Sequence, residues 1–392
     1  MLSTETKDFV SVFLLYAMLL LSLLSYEMNI YANFYDSMLI AILAVGMFFI
    51  MMQYFFDKAF IAYHIAQALA YNKTVLLLIY LLVFSSLLTS VFNGFISFSG
   101  FVKLLSIIVS ILLFFFIVPT YLNYFISRLH YLIIFFVTIA SVIGMITKFN
   151  GRFLIYETYY GRVDSIYFDP NYFGTLAGIA VLLALRYPGF LFKLAMLINL
   201  VAVLFSNSRT VFLALVFTLI VTYFYQKRIE IRHLFVGVIL FVAIAIGTHY
   251  LYELDFFRTH QGLNDREELW KAAVALIGEQ PFWGYGQEVI PDLLAQKGVH
   301  FNSTHNAYLD YMLSYGIVCG LVYIAIILIS LYRGVKHKVH VSFIQVVLFL
   351  FICSFMISIN IGGLGSTSFL FTLYLGLCNS SSYAFWTNTD RD

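Results

Sequence analysis

The stretch "FNSTHNAYLDYMLSYG", which begins at Phe301, places a histidine among polar residues at the edge of a long apolar run. An imidazole has an ordinary pKa of about 6.5, so His305 can accept a proton at neutral pH and act as a general base. Thr304 or Asn306 can cap a following helix, and Asn306 and Asp310 have the i,i+4 spacing that places them on one helix face. A lone histidine at a helix start is more often a simple interface residue, so the neighbouring segments decide its meaning.

A second polar stretch, "LNDREELWKAAVALIGEQPFWGYG", predicts a short amphipathic helix. Asn264 or Asp265 would cap it, and Gly278 would end it. Arg266 shares the apolar face with Trp270 and lies at the positive end of the helix dipole, where a cation is disfavoured unless an anion compensates it. An ion pair with an adjacent acidic residue is the alternative.

Two further arginines lie in short polar segments between apolar runs. Arg209, in "NSRTVFLAL", either binds an anion or extends toward lipid headgroups. Arg162 precedes "DSIYFDPNYFG" and either joins the same chemistry or is an ordinary solvated residue. Within that stretch, Asp169 followed by Pro170 predicts a helix N-cap, and Asn171 comes directly after it.

The composition indicates that these polar segments connect membrane-spanning helices. Of the 392 residues, 62% are hydrophobic and 11% are charged, whereas a soluble domain carries about 25% charged residues. A helical membrane span needs roughly 20 mostly apolar residues, and about 12 runs meet that need. We therefore expect an all-α integral membrane protein with a single polytopic domain over residues 1–392. The predicted spans lie near 9–25, 37–56, 74–92, 102–123, 129–147, 172–186, 189–205, 210–226, 232–252, 306–332, 341–360 and 366–386.

The positions of Lys and Arg predict the orientation of the spans. Most basic residues fall in alternate connections, whereas the short connections 26–36 and 361–365 hold none. Basic residues are retained on the cytoplasmic side, so we expect both termini there. The connections 148–171 and 253–305 then lie outside. The second, between the ninth and tenth spans, is the large outer (periplasmic) loop, and it contains the predicted amphipathic helix.

The spans carry almost no ionisable side chains at mid-depth. A charged residue there costs about 2.5–3.5 kcal/mol on insertion, and carriers keep such residues for function. The two halves of the chain also show no obvious duplication, which disfavours a transporter built from repeated halves. Polar chemistry concentrated on one side favours an enzyme at the outer interface.

Four motifs together resemble the O-antigen ligase and polymerase superfamily, which acts on lipid-linked bacterial glycans. They are "SRT" at 208–210, "R-x-x-x-W" at 266–270 followed by "P-F-x-G-x-G" at 281–286, and "T-H-N-x-Y-L" at 304–309 followed by Gly316. The stretch "F-D-P-N-Y-F-G" at 168–174 looks more like the polymerases than the ligases. The chain differs from some polymerases in one spacing. Those polymerases place ten residues between an arginine and a glycine in each outer loop, whereas this chain places eleven.

The resemblance implies a metal-independent, inverting glycosyltransferase without a cofactor, whose donor is a glycan on undecaprenyl pyrophosphate. It assigns Arg209 and Arg266, with Arg162 as a weaker third, to the pyrophosphate, because guanidinium groups bind phosphate oxygens bidentately. His305 would take the proton of the acceptor sugar hydroxyl, a role worth about 10²–10⁴ in rate. The supporting residues would be Asn306, Tyr308, Asp310, Asp169, Asn171 and Trp270.

Three functions remain open from the sequence. The first is an O-antigen or exopolysaccharide repeat-unit polymerase, the second is a ligase that transfers finished glycan to the lipid A core, and the third is a lipid-linked sugar transporter. Each places the protein in the bacterial inner membrane with its site at the periplasmic face. The expected partners are the undecaprenyl-pyrophosphate-linked oligosaccharide and membrane lipid, with a chain-length regulator as a further candidate and no nucleic acid.

Overall fold

The computed structural model describes residues 4–24, 35–56, 58–92, 98–153, 156–157, 161–167, 169–227, 266–363 and 365–380. These residues are predominantly helical, which confirms the predicted all-α class. Their one strand pairing is a short antiparallel pair, β1 (Arg152–Phe153) with β2 (Tyr156–Glu157). The predicted span 232–252, most of the connection 26–36 and the cap candidates Asn264 and Asp265 lie outside the described residues.

The helices mostly follow the apolar runs, with bounds that differ by a few residues. In chain order they are α1 (Thr4–Leu24), α2 (Tyr35–Phe56), α3 (Lys58–Phe92), α4 (Phe98–Ile111), α5 (Leu122–Asn150), α6 (Pro170–Ala184), α7 (Phe190–Phe205), α8 (Arg209–Lys227), α9 (Arg266–Glu279), α10 (Ile290–Gln296), α11 (Ala307–Tyr315), α12 (Ile317–Lys336), α13 (Val341–Cys353) and α14 (Ser366–Cys378). A π-helical segment, Leu112–Ile117, and a 3-10 segment, Val118–Tyr121, join α4 to α5. Helix α3 is an exception: the connection predicted between the spans 37–56 and 74–92 is wrong, because α3 is helical from Lys58 onward, with a kink at Asn72.

Four segments of the described helices are long and apolar enough to cross a membrane: Asn72–Thr89, Arg128–Asn150, Arg209–Gln226 and Ile317–Lys336. The other apolar helices of the described chain are shorter, including α6 and α13, and at 15 and 13 residues these two extend only about 20 Å. A bilayer core is about 30 Å thick, so a helix of that length ends inside it. The number of spans therefore stays a prediction, as does the orientation of the termini.

The predicted continuous span 306–332 is wrong. The helix is interrupted at Gly316, which has a φ of 89° and lies between the end of α11 and the start of α12. Glycine adopts this backbone conformation without steric cost, and its position here allows the two helices to turn sharply. The apolar run hid the break because both helices are apolar.

Because the chain reverses direction at Gly316, α11 packs against the first turns of α12. The Tyr311 ring stacks on Tyr323 with centroids 4.2 Å apart, and the Tyr308 ring lies 5.7 Å from the same ring. Tyr323 is seven residues after Gly316, which corresponds to roughly 10 Å along the axis of α12. The start of α11 therefore lies well within the length of a candidate span rather than at its end.

The turn 281–286 secures this break through backbone hydrogen bonds. Tyr285 and Gly286 donate their N–H groups to the carbonyls of Leu313 and Ser314 at 3.0 and 2.9 Å, and Ile317 donates to Pro281 at 2.8 Å. These bonds satisfy groups that a helix end would otherwise leave unpaired. The two glycines of "P-F-W-G-Y-G" thus serve a backbone contact in this structure.

We predict that Gly316→Ala destabilises the protein. A Cβ at this position would collide with the carbonyl oxygen of Phe282, and the backbone is in the left-handed region. Overpacking of this kind costs about 1–3 kcal/mol, and the positive φ adds to it. Thermal unfolding in detergent should show a clearly lower midpoint than the parent protein.

Gly278→Ala is the matched control, because a Cβ there has no neighbour within 4 Å and α9 is helical at that point. It should leave the midpoint unchanged or slightly higher. Equal midpoints for the two variants would contradict the close contact at Gly316.

Candidate active site

The segment before α11 is built around two side chains with different roles. Asn306 caps α11, as predicted, because its Oδ1 accepts the N–H groups of Tyr308 and Leu309 at 3.0 and 3.2 Å. His305, just before the cap, has a φ of 52°, a conformation that is uncommon for a residue other than glycine. The imidazole lies nearly perpendicular to the Phe301 ring, with the two ring centroids 5.6 Å apart.

Asp310 holds this segment to two other parts of the chain. Its Oδ1 lies 2.8 Å from both the backbone nitrogen and the hydroxyl of Thr304, which donate to it. Its Oδ2 accepts from the Ser358 hydroxyl, which lies 3.2 Å from the Ser303 hydroxyl. Asp310 is only 6% exposed, and a buried carboxylate is stable only where such donors satisfy it. The network therefore fixes the backbone on both sides of His305.

Helix α9 approaches the same segment from the large predicted loop. The Trp270 indole N–H donates to the carbonyl of Thr304 at 3.0 Å, which fixes the first turn of α9 next to His305. At the start of α9, Arg266 donates from Nη1 to the sulfur of Met356 at 2.9 Å. A thioether is a weak acceptor. Among the described residues, this sulfur is the hydrogen-bond partner of the guanidinium, and no carboxylate of the described chain forms an ion pair with it.

Burial and the charge of Arg266 favour the neutral form of the His305 imidazole. Burial lowers the pKa of His305, and the nearby Arg266 guanidinium lowers it further, whereas Asp169 and Asp310 act in the opposite direction. Burial also lowers the pKa of Arg266, against the attraction of Asp169, but a guanidinium still remains protonated. The site therefore combines a neutral base with a fixed positive charge. Within the described residues, neither ring nitrogen of His305 has a hydrogen-bond partner.

The start of α6 adds a third group of predicted residues. Asp169 is the N-cap, and its carboxylate accepts the N–H of Asn171 at 2.6 Å, as the sequence predicted. Arg162 donates from Nη2 to Asn171 Oδ1 and from Nε to the carbonyl of Ser206, each at 2.9 Å. Arg162 thus joins the cap of α6 to the α7–α8 turn. Arg209, the first residue of α8, follows Ser206 within one helical turn.

The structure brings most of the predicted site residues to one end of the helices. His305 and Arg266 lie close enough to Asp169 for its charge to affect both pKa values. Tyr308 has a structural position, because it is 6% exposed and its hydroxyl donates to the carbonyl of Phe351 at 2.5 Å. Within the described residues, no three His, Cys, Asp or Glu side chains form a group that could hold a metal ion.

The segment after α13 contributes residues that the sequence analysis missed. Met356 and Ser358 were placed inside the predicted span 341–360, but α13 ends at Cys353. The carbonyl of Ser354 accepts the N–H of Ala307 at 2.9 Å, so this segment contacts the start of α11. The polar residues of "SFMISIN" within an apolar run were the available signal that the helix ends early.

Asp164 is a buried carboxyl group next to the site. It is 2% exposed, and its Oδ1 has no hydrogen-bond partner in the described part of the chain. Burial raises the pKa of Asp164 to about 7, and Asp169 adds to this effect against the opposing charge of Arg162. In the sequence, Asp164 stands two residues after Arg162. Nothing in the surrounding residues indicates that its carboxyl group is buried.

Two comparisons relate the chain to known proteins. Residues 194–324 match the family described as O-antigen ligase. The chain is also 28% identical to the ComP-specific O-oligosaccharyltransferase of Acinetobacter baylyi, with 64% of this chain and 54% of the relative covered. The chain thus spans about half the length of that curated relative. The predicted resemblance to the O-antigen ligase superfamily is confirmed, and Arg209, Arg266 and His305 all lie within the matched segment.

We predict that Asp164→Asn makes the protein more stable at high pH. The folded state holds a proton on Asp164 up to about pH 7, whereas an unfolded chain releases it at about pH 4. The folded state binds more protons between these values, so wild-type stability falls as the pH rises from about 4 through 7. Thermal midpoints should coincide near pH 4, and the variant should unfold at a higher temperature above pH 7.

Asp292→Asn provides the control, because Asp292 is exposed on α10. Its midpoint should differ from that of the wild type by a similar small amount at each pH. An Asp164→Asn variant that unfolds earlier than the wild type at pH 8 would contradict a neutral, buried carboxyl group.

Proposed function

We propose that the protein is a membrane glycosyltransferase of the ligase type, which transfers a glycan from a lipid-linked pyrophosphate donor to a hydroxyl oxygen. The observation that carries the proposal is the pair formed by Arg266 and His305. A partly buried guanidinium, whose described hydrogen-bond partner is a thioether, stands beside a neutral imidazole with available ring nitrogens. The pair supplies what such a transfer requires, a cation for the leaving group and a base for the acceptor.

Arg266 would stabilise the departing pyrophosphate. As the bond between the anomeric carbon and the phosphate oxygen breaks, negative charge grows on that oxygen, and a fixed guanidinium is already in place to bind it. Arg162 is held by Asn171 and Ser206 at the same end, and Arg209 begins α8 within one turn of Ser206. These two arginines would bind the remaining phosphate oxygens.

His305 would act as the general base. The acceptor hydroxyl oxygen forms the new bond to the anomeric carbon while its proton passes to the imidazole. An imidazolium results, and the carboxylates of Asp169 and Asp310, which already favour the protonated form, would stabilise it. Inversion at the anomeric carbon follows if the hydroxyl attacks opposite the leaving pyrophosphate.

The ligase type is favoured over the polymerase that the sequence placed first. The matched family is described as O-antigen ligase, and the name of the Acinetobacter baylyi relative describes O-linked oligosaccharide transfer to one specified acceptor. Both descriptions favour transfer of a glycan to a separate acceptor. The sequence analysis named the lipid A core as that acceptor, whereas the name of the relative specifies ComP. The polymerase-like stretch at 168–174 is accounted for by the α6 cap, which any member with this site could use.

The proposed location is the inner membrane, with the site facing the periplasm. The site occupies the end of the bundle at which α6, α8 and α11 begin. Arg186, one of the basic residues predicted to be cytoplasmic, lies just past the opposite end of α6 and donates to Gln345 at 3.1 Å. This separation supports the orientation derived from the positive-inside rule.

We predict that His305→Ala lowers the rate of glycan transfer at least about a hundredfold, because a positioned general base contributes 10²–10⁴ in rate. The measurement is transfer by the purified protein from lipid-linked oligosaccharide in proteoliposomes, with thermal unfolding to verify that the variant is folded. His300→Ala, at an exposed position five residues earlier, should retain normal activity. Near-normal transfer by folded His305→Ala would remove His305 as the base.

Metal independence gives a separate test. The proposed chemistry neutralises the pyrophosphate with guanidinium groups, so EDTA should leave the transfer rate unchanged. Arg266→Lys should lose most of the activity despite its retained charge, because an ammonium group cannot make the bidentate contact. Activity that is lost in EDTA and recovered with a divalent cation would contradict the metal-free mechanism.

Deletion of the gene separates the two enzyme functions. Loss of a ligase should leave long glycan chains on undecaprenyl pyrophosphate, whereas loss of a polymerase should leave lipid A core capped with a single repeat. We expect the first outcome. Transport of a lipid-linked sugar that survives both His305→Ala and Arg266→Ala would support the transporter instead.

A further inference from the structure

Three aromatic side chains form an exposed cluster at the same end of the molecule as the site. Phe92 is 62% exposed, Phe282 is 71% exposed and Trp283 is 46% exposed. Phe92 is the last residue of α3, and the other two belong to the turn 281–286. We refer to these three residues as the aromatic cluster.

The turn is fixed to the end of α3. The Thr89 hydroxyl lies 2.6 Å from the carbonyl of Trp283 and donates to it, and the rings of Phe92 and Trp283 lie 4.7 Å apart. Thr89 lies in the last turn of α3, which contains the candidate membrane span Asn72–Thr89 and ends at Phe92. Trp283 is therefore held at the end of this apolar helix.

The exposed face of α3 leads directly to this cluster. Its exposed apolar side chains recur every three or four residues, the spacing of one helix face. They are Leu77, Tyr80, Phe84, Leu87 and Val91, each at least 38% exposed. A stripe of this kind on a candidate span faces lipid, and the aromatic cluster continues it past the end of the span.

We propose that the aromatic cluster inserts into the lipid headgroup region of the bilayer and anchors the turn 281–286 to the membrane surface. Tryptophan suits this position because its ring is apolar and its N–H is polar, and aromatic residues concentrate where a span meets water. The occupant of the surface is the lipid itself, as the continuity with the lipid-facing stripe of α3 indicates. This inference does not depend on the proposed reaction.

The anchor would also fix the height of the site. The turn bonds to the end of α11 and to the start of α12 through Leu313, Ser314 and Ile317. Because α11 lies back along α12, its His305 end is held at a set distance from the turn. Lipid contact at Trp283 therefore determines how far the imidazole lies from the membrane surface.

The test uses the fluorescence of Trp283 in lipid vesicles. The chain has three tryptophans, so Trp270→Phe combined with Trp386→Phe leaves Trp283 as the single emitter. The protein is reconstituted in phosphatidylcholine brominated close to the headgroup or close to the end of the acyl chain. We expect the shallow bromines to quench Trp283 more strongly than the deep ones, because aromatic residues of an interfacial belt lie at the level of the headgroups.

The matched control keeps Trp270 instead, through Trp283→Phe combined with Trp386→Phe. Trp270 is half-buried and donates to the carbonyl of Thr304, so both lipids should quench it less than they quench Trp283. Quenching of Trp283 by acrylamide alone would place the turn in water, and stronger quenching by the deep bromines would place it in the hydrocarbon core. A lack of quenching by any agent would mean that protein, such as a second copy of the chain, covers the cluster. Each of these three outcomes would overturn the proposal.

Discussion

One buried carboxylate determines the geometry of the whole site. Asp310 accepts from Thr304 and from Ser358, and so joins the segment before α11 to the segment after α13. Trp270 of α9 donates to the carbonyl of the same residue, Thr304. The carboxyl group of Asp310 thus holds two distant segments together, and the carbonyl of Thr304 adds α9 to them. His305 and Arg266 are neighbours as a consequence.

The sequence predicted the parts of this site that depend on local chemistry. Caps are local, and both Asp169 and Asn306 were recognisable from the residues that follow them. The histidine and arginine motifs were recognisable by type and spacing. Contacts between distant segments were not, because nothing in "SFMISIN" indicates that Met356 will receive Arg266. The break at Gly316 was hidden for a related reason: hydropathy records how apolar a run is and carries no information on its direction.

The lengths of the helices determine where polar groups of the candidate site lie along the bundle. Helices α6 and α13, at 15 and 13 residues, are too short to cross a bilayer core alone. The start of α6 and the segment after α13 carry polar groups of the candidate site. The candidate span Ile317–Lys336 begins beyond the level of His305, because α11 lies back along its first turns. The family match covers α8, α9 and α11, three of the elements that carry the proposed chemistry.

The left-handed backbone at His305 has a consequence for variation at this position. A non-glycine residue in that conformation carries a local free-energy cost of about 1 kcal/mol, which glycine avoids and asparagine largely avoids. The imidazole at this position therefore carries a cost in folding free energy. Replacement of His305 by glycine or asparagine would remove most of that cost. Under the proposed mechanism such variants would be inactive yet abundant and well inserted, so cellular abundance would be a poor guide to whether the allele functions.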